Sequence, residues 1–201
     1  MIKRNKGIPA LLIALSLLAP AAARAQSAVK AEEPALLTSC GQSPGPVMLK
    51  VVMQRLKMGF ELNSLASASD LKSKKDAGTP YKSIVIVMGA SLKGMGAAGI
   101  SIDDELMRTA ALIEEARKEG ILVIGAHIEG MKRRSQGASA GDTTDEQSID
   151  AVAPQADLLL INKEGNADGR FTAIAQAKKI PLLEVAKNLD LVAEIQKLYG
   201  K

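Results

Sequence analysis

One cysteine and one histidine stand in 201 residues, and each follows an apolar run. Cys40 comes after Ala35–Thr38, and His127 after Ile121–Gly125. A thiolate becomes a catalytic nucleophile when an imidazole takes its proton, and a helix N-terminus lowers the thiol pKa further. This pair would make the chain a small hydrolase or transferase. A second set of residues suits binding better. Ser39, Cys40, Gln42 and Ser43 fall between an expected strand and an expected helix start, where free backbone N–H groups and the helix dipole favour an anion. Lys132, Arg133 and Arg134 follow His127, and guanidinium groups grip carboxylates or phosphates through paired hydrogen bonds. Ser91, Lys93 and the amides of Gly94 and Gly96 add donors after another apolar run, as does Lys163 after the next.

Each feature also has a plainer reading. A small unpaired cysteine is an ordinary packing residue, and the basic loop can be solvated and paired with Asp142 and Asp145. Gly94–Gly99 spells G-x-G-x-x-G, but Ala90–Lys93 separate it from the preceding apolar run, whereas a dinucleotide fingerprint joins strand to helix directly. A mobile or close-packed loop is expected there, with no flavin or nucleotide cofactor. Gly137–Gly141 spells G-x-S-x-G around Ser139, yet a basic stretch precedes it instead of the strand that a nucleophile elbow needs. The acidic clusters Asp103–Glu105 and Asp142, Asp145 and Glu146 occur at helix starts, where the dipole alone accounts for acids. With one histidine, multi-histidine metal sites are excluded, and no metal is assigned.

These groups must be positioned by the elements between them. Runs rich in Val, Ile and Leu at Ala35–Thr38, Ile84–Met88, Ile121–Gly125, Leu158–Ile161 and Leu182–Val185 alternate with helical patterns, and Phe60–Leu62 adds a short strand. The first helix is expected to be capped by Ser43 and to face inward through Met48, Val51, Val52 and Leu56. A capping box at Ser101–Asp104 opens the clearest helix, with Ile102, Leu106, Ala110 and Ile113 inward and Gly120 ending it. Further helices are expected after Thr144, across Phe171–Lys178 and across Leu189–Leu198. The alternation predicts a three-layer α/β sandwich with five or six mainly parallel strands, flavodoxin-like or Rossmann-like in order. Functional groups then gather at the carboxyl ends of the strands.

The first 25 residues bear on compartment. Lys3, Arg4 and Lys6 precede an apolar stretch from Ile8 to Leu18, and Ala23-Arg24-Ala25 offers a small-x-small cleavage site. This is the pattern of a secretory signal peptide, followed by a flexible leader over 26–34 and a single domain over 35–201. Residues 1–25 carry four of the 26 basic residues and no acid, leaving 22 basic against 22 acidic, so the mature chain is neutral. Neutrality, with only two Phe, two Tyr and no Trp, takes away the basic footprint and the stacking surface of a nucleic-acid binder. No later segment approaches the roughly 20 apolar residues of a spanning helix. A lone cysteine forms no intramolecular disulfide even where export permits one.

The leader, Thr38–Ser43, Gly89–Gly99 and Gly125-Ala126-His127 with Arg133-Arg134 together resemble an exported bacterial domain family of unknown function. The resemblance implies an extracytoplasmic setting, periplasmic or extracellular, and no catalytic roles. The reading from the residues is an extracytoplasmic binding protein for a small anionic solute, serving a membrane transporter or receptor. The alternatives are an exported hydrolase or transferase using Cys40 with His127, and a non-catalytic domain that docks a protein partner.

Overall fold

The computed structural model describes residues 29–135 and 143–201. Among the described residues six strands form one sheet: β1 (Ala35–Cys40), β2 (Phe60–Leu62), β3 (Ser83–Met88), β4 (Leu122–His127), β5 (Leu158–Asn162) and β6 (Leu182–Val185). Every pairing is parallel, and the order is β2-β1-β3-β4-β5-β6. This is the flavodoxin-like of the two expected orders, extended by one strand. Continuous burial explains the composition. Helices cover both faces, so β1, β3 and β5 are buried at every position and read as unbroken apolar runs.

Two helices, α1 (Gly45–Arg55) and α7 (Leu191–Tyr199), cover one face. There Leu49, Met53, Leu191, Ile195 and Leu198 pack on Leu37, Val85, Val87, Ile124 and Leu160. The other face carries α2 (Ala68–Asp76), α4 (Ile102–Lys118), α5 (Thr144–Val152) and α6 (Arg170–Lys178). Its core joins Leu71, Leu112, Ile113, Ile149, Val152 and Phe171 to Ile84, Ile86, Met88, Leu159 and Ile161. The faces follow from connection handedness. The chain leaves β1 toward the β2 edge and then returns across β1 to β3, and right-handed crossovers in opposite directions place helices on opposite faces. The reversal falls between β1 and β3.

Several elements differ from the sequence expectation for identifiable reasons. Strands β1 and β4 run on through Cys40 and His127, so Ser39, Cys40 and His127 are strand residues rather than loop residues. The glycine-rich stretch is helical, forming α3 (Leu92–Ala98), which Ser91 caps by accepting the Gly94 N–H and Gly99 ends in the left-handed conformation. Helix α1 starts after Pro44 rather than Ser43, and it buries Leu49 and Met53 while Met48 and Val51 face outward. It is apolar at so many positions that spacing alone selects no face. In α4 the capping box forms as expected, but the buried stripe runs through Glu105, Thr109, Leu112 and Ala116, where a carboxylate disguises it. Residues 29–34 are tied down rather than loose: the Ala31 N–H donates to Leu198 O and the Ser83 hydroxyl to Glu32 O. The signal-peptide stretch 1–25 and Gly137–Gly141 lie outside the described residues.

Leu112 is fully buried against the sheet. Leu112→Ala is expected to lower the unfolding free energy by about 2–5 kcal/mol in urea denaturation, the cost of lost transfer energy plus a residual cavity.

Candidate functional site

In a doubly wound sheet the crevice between reversing strands is the usual place for a ligand. Here that crevice is shut. The Ser91 N–H donates to Gly41 O at 2.7 Å and the Gly89 N–H to Cys40 O at 3.2 Å, and Gln42 bridges antiparallel to Ala90. Gly41 holds a φ of +102°, and a β-carbon on it would lie 2.6 Å from Gly89 O. Beneath the loop, fully buried Glu105 accepts the Gly41 N–H at 2.7 Å and Gln42 Nε2 at 3.1 Å. Arg108 holds both Glu105 oxygens at 3.0 Å and donates to Ser39 O and Ala66 O, each at 2.6 Å. The segment expected to cradle an anion is therefore fastened to the loop after β3, the turn before α2 and helix α4. Pro44 and Pro46 also remove two N–H groups from the start of α1, and the Gly45 N–H is turned to Ser43 Oγ.

The expected nucleophile and base do not form a pair. Cys40 is registered against Met88 on β3, and β4 lies beyond it, so two strand spacings, about 10 Å, separate the backbones of Cys40 and His127. Burial pushes the Cys40 thiol up to about 11, the reverse of an activated cysteine. His127 is fully buried, with Nδ1 3.1 Å from Met88 O and Nε2 3.0 Å from Gly130 O, and its ring packs on Phe171. Burial holds its pKa below the ordinary value, against the opposing pull of the two carbonyls. The single N–H of the neutral ring can donate to only one of these carbonyls, so His127 ties β4 either to β3 or to the turn after β4.

The two arginines expected to clamp an anion are committed within the chain. Arg134, buried to 5 % exposure, meets Asp168 Oδ2 and Glu146 Oε1 at 2.7 Å each, donates to Gly165 O, and stacks over Phe171. Burial works against its charge, but the two carboxylates outweigh burial and raise its pKa. The same contact draws the Asp168 carboxyl down to about 2. Arg133 donates to Ala90 O at 2.7 Å and to Glu129 Oε1 at 3.3 Å. Ala90 is gripped from its other side, its N–H donating to Asp145 Oδ1 at 2.6 Å.

An open cleft of about 490 Å³ lies one step along the sheet, at the carboxyl ends of β4, β5 and β6. Pro44 and Met48 of α1 form one wall. Ile128, Glu129, Lys132 and Arg133 from the turn after β4 form the floor and opposite wall, closed by Asn162, Glu164 and Asn188. Asn162 Nδ2 donates to Asn188 Oδ1 at 2.9 Å, while Asn162 Oδ1 accepts the Glu164 N–H. Glu129 points toward the start of α1, where a β-carbon on Gly45 would lie 2.9 Å from its Oε2. The chain thus supplies its own anion where an anionic ligand was expected, in the position that a helix dipole favours.

Of the residues singled out by sequence, the cleft gathers Lys132 and Arg133, with Asn162 beside them. Ser39, Cys40, Ser43, His127 and Arg134 are buried in the framework. Gln42, Ser91 and Gly94 lock the β1 and β3 loops, since a β-carbon on Gly94 would collide with Gln42 O. Lys93 and Gly96 are exposed on α3, and Lys163 points outward beside the cleft without lining it. Glu129, Glu164 and Asn188 were missed. Each does sit within a few residues of a strand's carboxyl end, which is the signal that could have found them.

Two consequences can be measured. Native Cys40 is expected to react with an aromatic disulfide reagent at pH 8 only as fast as the chain opens, and immediately once urea unfolds it; rapid modification of the native protein would contradict its burial. For His127, a folded pKa below 6.5 means that its contribution is intact above pH 6.5 and is lost as the pH falls below that value. The wild-type urea midpoint should therefore drop more between pH 7.5 and 5.5 than that of His127→Gln, well above the window near pH 2–4 where Asp168 titrates. A midpoint that rises on acidification relative to the variant would mean that the imidazolium is the folded form.

Comparison with solved structures returns enzymes at low similarity. A protein assigned to the G-D-S-L lipolytic family from Desulfitobacterium hafniense is 17 % identical, with 76 % of this chain and 77 % of that one aligned and a TM-score of 0.33. A GDSL-like lipase from Bacteroides thetaiotaomicron is 15 % identical over 77 % and 71 % of the chains, with a TM-score of 0.34. An acetyl xylan esterase is 13 % identical over 82 % of each, with a TM-score of 0.37. At such scores the likeness says nothing of what this chain does. Among curated proteins no relative matches. Residues 32–199 match the profile of a domain of unknown function, DUF6305, and the chain belongs to that family.

Proposed function

We propose that this DUF6305 chain is an exported, non-catalytic binding domain for a small solute bearing an anionic group. The observation that carries the reading is where polar side chains remain available. The reactive candidates Cys40 and His127 are enclosed in the sheet, while the cleft after β4–β6 is open and its polar lining comprises Lys132, Arg133, Asn162 and Asn188 with the carboxylates of Glu129 and Glu164. Its volume falls within the roughly 300–1,000 Å³ of small-molecule sites. Arg133 is neutralised by Glu129, whereas Lys132 is exposed and makes no ion pair among the described residues, which leaves it to meet the anionic group. Export rests on the leader pattern of residues 1–25. A transporter or receptor would be the downstream partner.

One surface feature favours a second reading, a domain that docks a protein. Val47 and Val51 on α1 are 55 % and 62 % exposed, and Leu189, next to Asn188, is 80 % exposed, so apolar side chains flank the cleft.

The test is a thermal-shift screen of the purified protein against small carboxylates, phosphate esters and amino acids. A selective class is expected to raise the Tm, by the equivalent of about 2.7 kcal/mol at a hundred times Kd. Lys132→Glu should remove the shift and leave the unliganded Tm unchanged. Absence of a shift with every anion-bearing compound overturns the binding reading in favour of the protein-docking one.

A further inference from the structure

Helix α1 turns an apolar ridge outward, made of Val47 and Val51 with the exposed Met48 beside them. With about 100° of turn per residue, Val47 and Val51 stand about 40° apart, Lys50 lies about 60° to one side of Val47, and Arg55 about 40° beyond Val51 on the other. The apolar strip therefore runs between two cations, and Lys57 adds a third just past the helix end. None of the three takes part in an ion pair among the described residues. Between Glu33 and Glu61 the chain contains no acid to offset them. Charge is also polarised across the sheet. Helices α1 and α7 carry three bases and one acid, whereas α2, α4, α5 and α6 on the other face carry eight bases and ten acids. A chain that is neutral beyond residue 25 thus has its positive side where the apolar ridge stands.

We propose that α1 docks on an anionic lipid bilayer, with Val47, Met48 and Val51 entering the headgroup layer and Lys50, Arg55 and Lys57 meeting lipid phosphates. Long cationic side chains beside short apolar ones are the arrangement of helices that lie in a membrane interface, where the cations reach outward as the apolar tips sink. Like charge opposes pairing of this ridge with the same ridge of a second copy. A protein is a poorer complement, because interface centres are built on aromatic anchors seated in pockets, and this ridge is a convex helix face without an aromatic. The contact is peripheral: among the described residues no helix is long and apolar enough to cross a membrane. Pro44 and Met48, at the start of the same helix, also wall the cleft, so a bilayer held by α1 lies beside the cleft mouth. The inference does not depend on what the cleft binds.

The experiment is co-sedimentation of the purified protein with sucrose-loaded vesicles, of phosphatidylcholine alone and of phosphatidylcholine mixed equally with phosphatidylglycerol. Residues 1–25 are removed first, because their apolar stretch enters bilayers by itself, and the family match begins only at residue 32. The protein is expected to pellet with the anionic vesicles at low salt and to stay in solution with the neutral ones. It should be released as salt approaches about 1 M, where charges are screened within roughly 3 Å. Val51→Asp, and Lys50→Glu combined with Arg55→Glu, should each weaken anionic-vesicle binding at least about tenfold at an unchanged urea midpoint. Should either fail to fold, Arg55→Gln with Lys57→Gln, both at exposed positions, reads the same site through a smaller loss of binding. Failure to pellet with the anionic vesicles overturns the proposal and leaves the ridge to a protein partner. Equal pelleting with both lipids overturns the role of the cations, and unchanged pelleting of the folded α1 variants overturns the site.

Discussion

The buried Glu105–Arg108 pair is the contact on which the rest of the carboxyl edge depends. A fully buried carboxylate is tolerable only when its lone pairs are met and its charge is opposed. Glu105 meets both conditions by collecting the Gly41 N–H, the Gln42 amide and the Arg108 fork. Arg108 passes the constraint on to the carbonyls of Ser39 and Ala66. One ion pair on α4 thereby fixes the end of β1, the loop after it and the approach to α2. With that loop fixed, its backbone zips onto the β3 loop and the reversal crevice has no room for a ligand.

A second knot does the same work on the same face, farther along the sheet. Arg134 gathers Glu146 and Asp168 while His127 sits between the carbonyls of Met88 and Gly130 and donates to one of them, and Phe171 packs against both side chains. Breaking such a pair by removing one partner leaves an uncompensated buried charge, so these residues act through stability rather than through contact with a ligand. Between the two knots the turn after β4 is held rigidly, and it presents Glu129, Lys132 and Arg133 to the cleft. The site is small and polar, on a support that does not need to move.

Glu129 also reverses the electrostatics that the fold would otherwise give. Doubly wound folds use the first helix N-terminus to hold phosphate or carboxylate groups. Here two prolines reduce the donors at that N-terminus and an internal carboxylate stands against it. In the proposed binding reading, an anionic group would accordingly be met by Lys132.

Much of the architecture is legible in the residues themselves. Unbroken Val, Ile and Leu runs separated by capped helices can only be buried parallel strands with helices on both faces, and the Ser101–Asp104 box and Gly120 mark the bounds of α4 because capping is local chemistry. Strand ends are less legible: Ser39, Cys40 and His127 look like loop residues by polarity, yet pairing with neighbours carries both strands through them. The helix face of α1 is ambiguous because nearly every position is apolar. Whether a charged residue is a ligand or a brace is not written in its own neighbourhood at all. Arg133 and Arg134 are adjacent and chemically identical, and only contacts from residues up to 43 positions away commit one to a buried knot and place the other beside a cleft. The sequence by itself determined the layers, the parallel sheet and the edge at which polar groups collect, since these follow from hydrophobic periodicity and capping. Tertiary structure alone decided which polar groups stay free, because burial and charge pairing are set by side chains that meet only once the chain has folded.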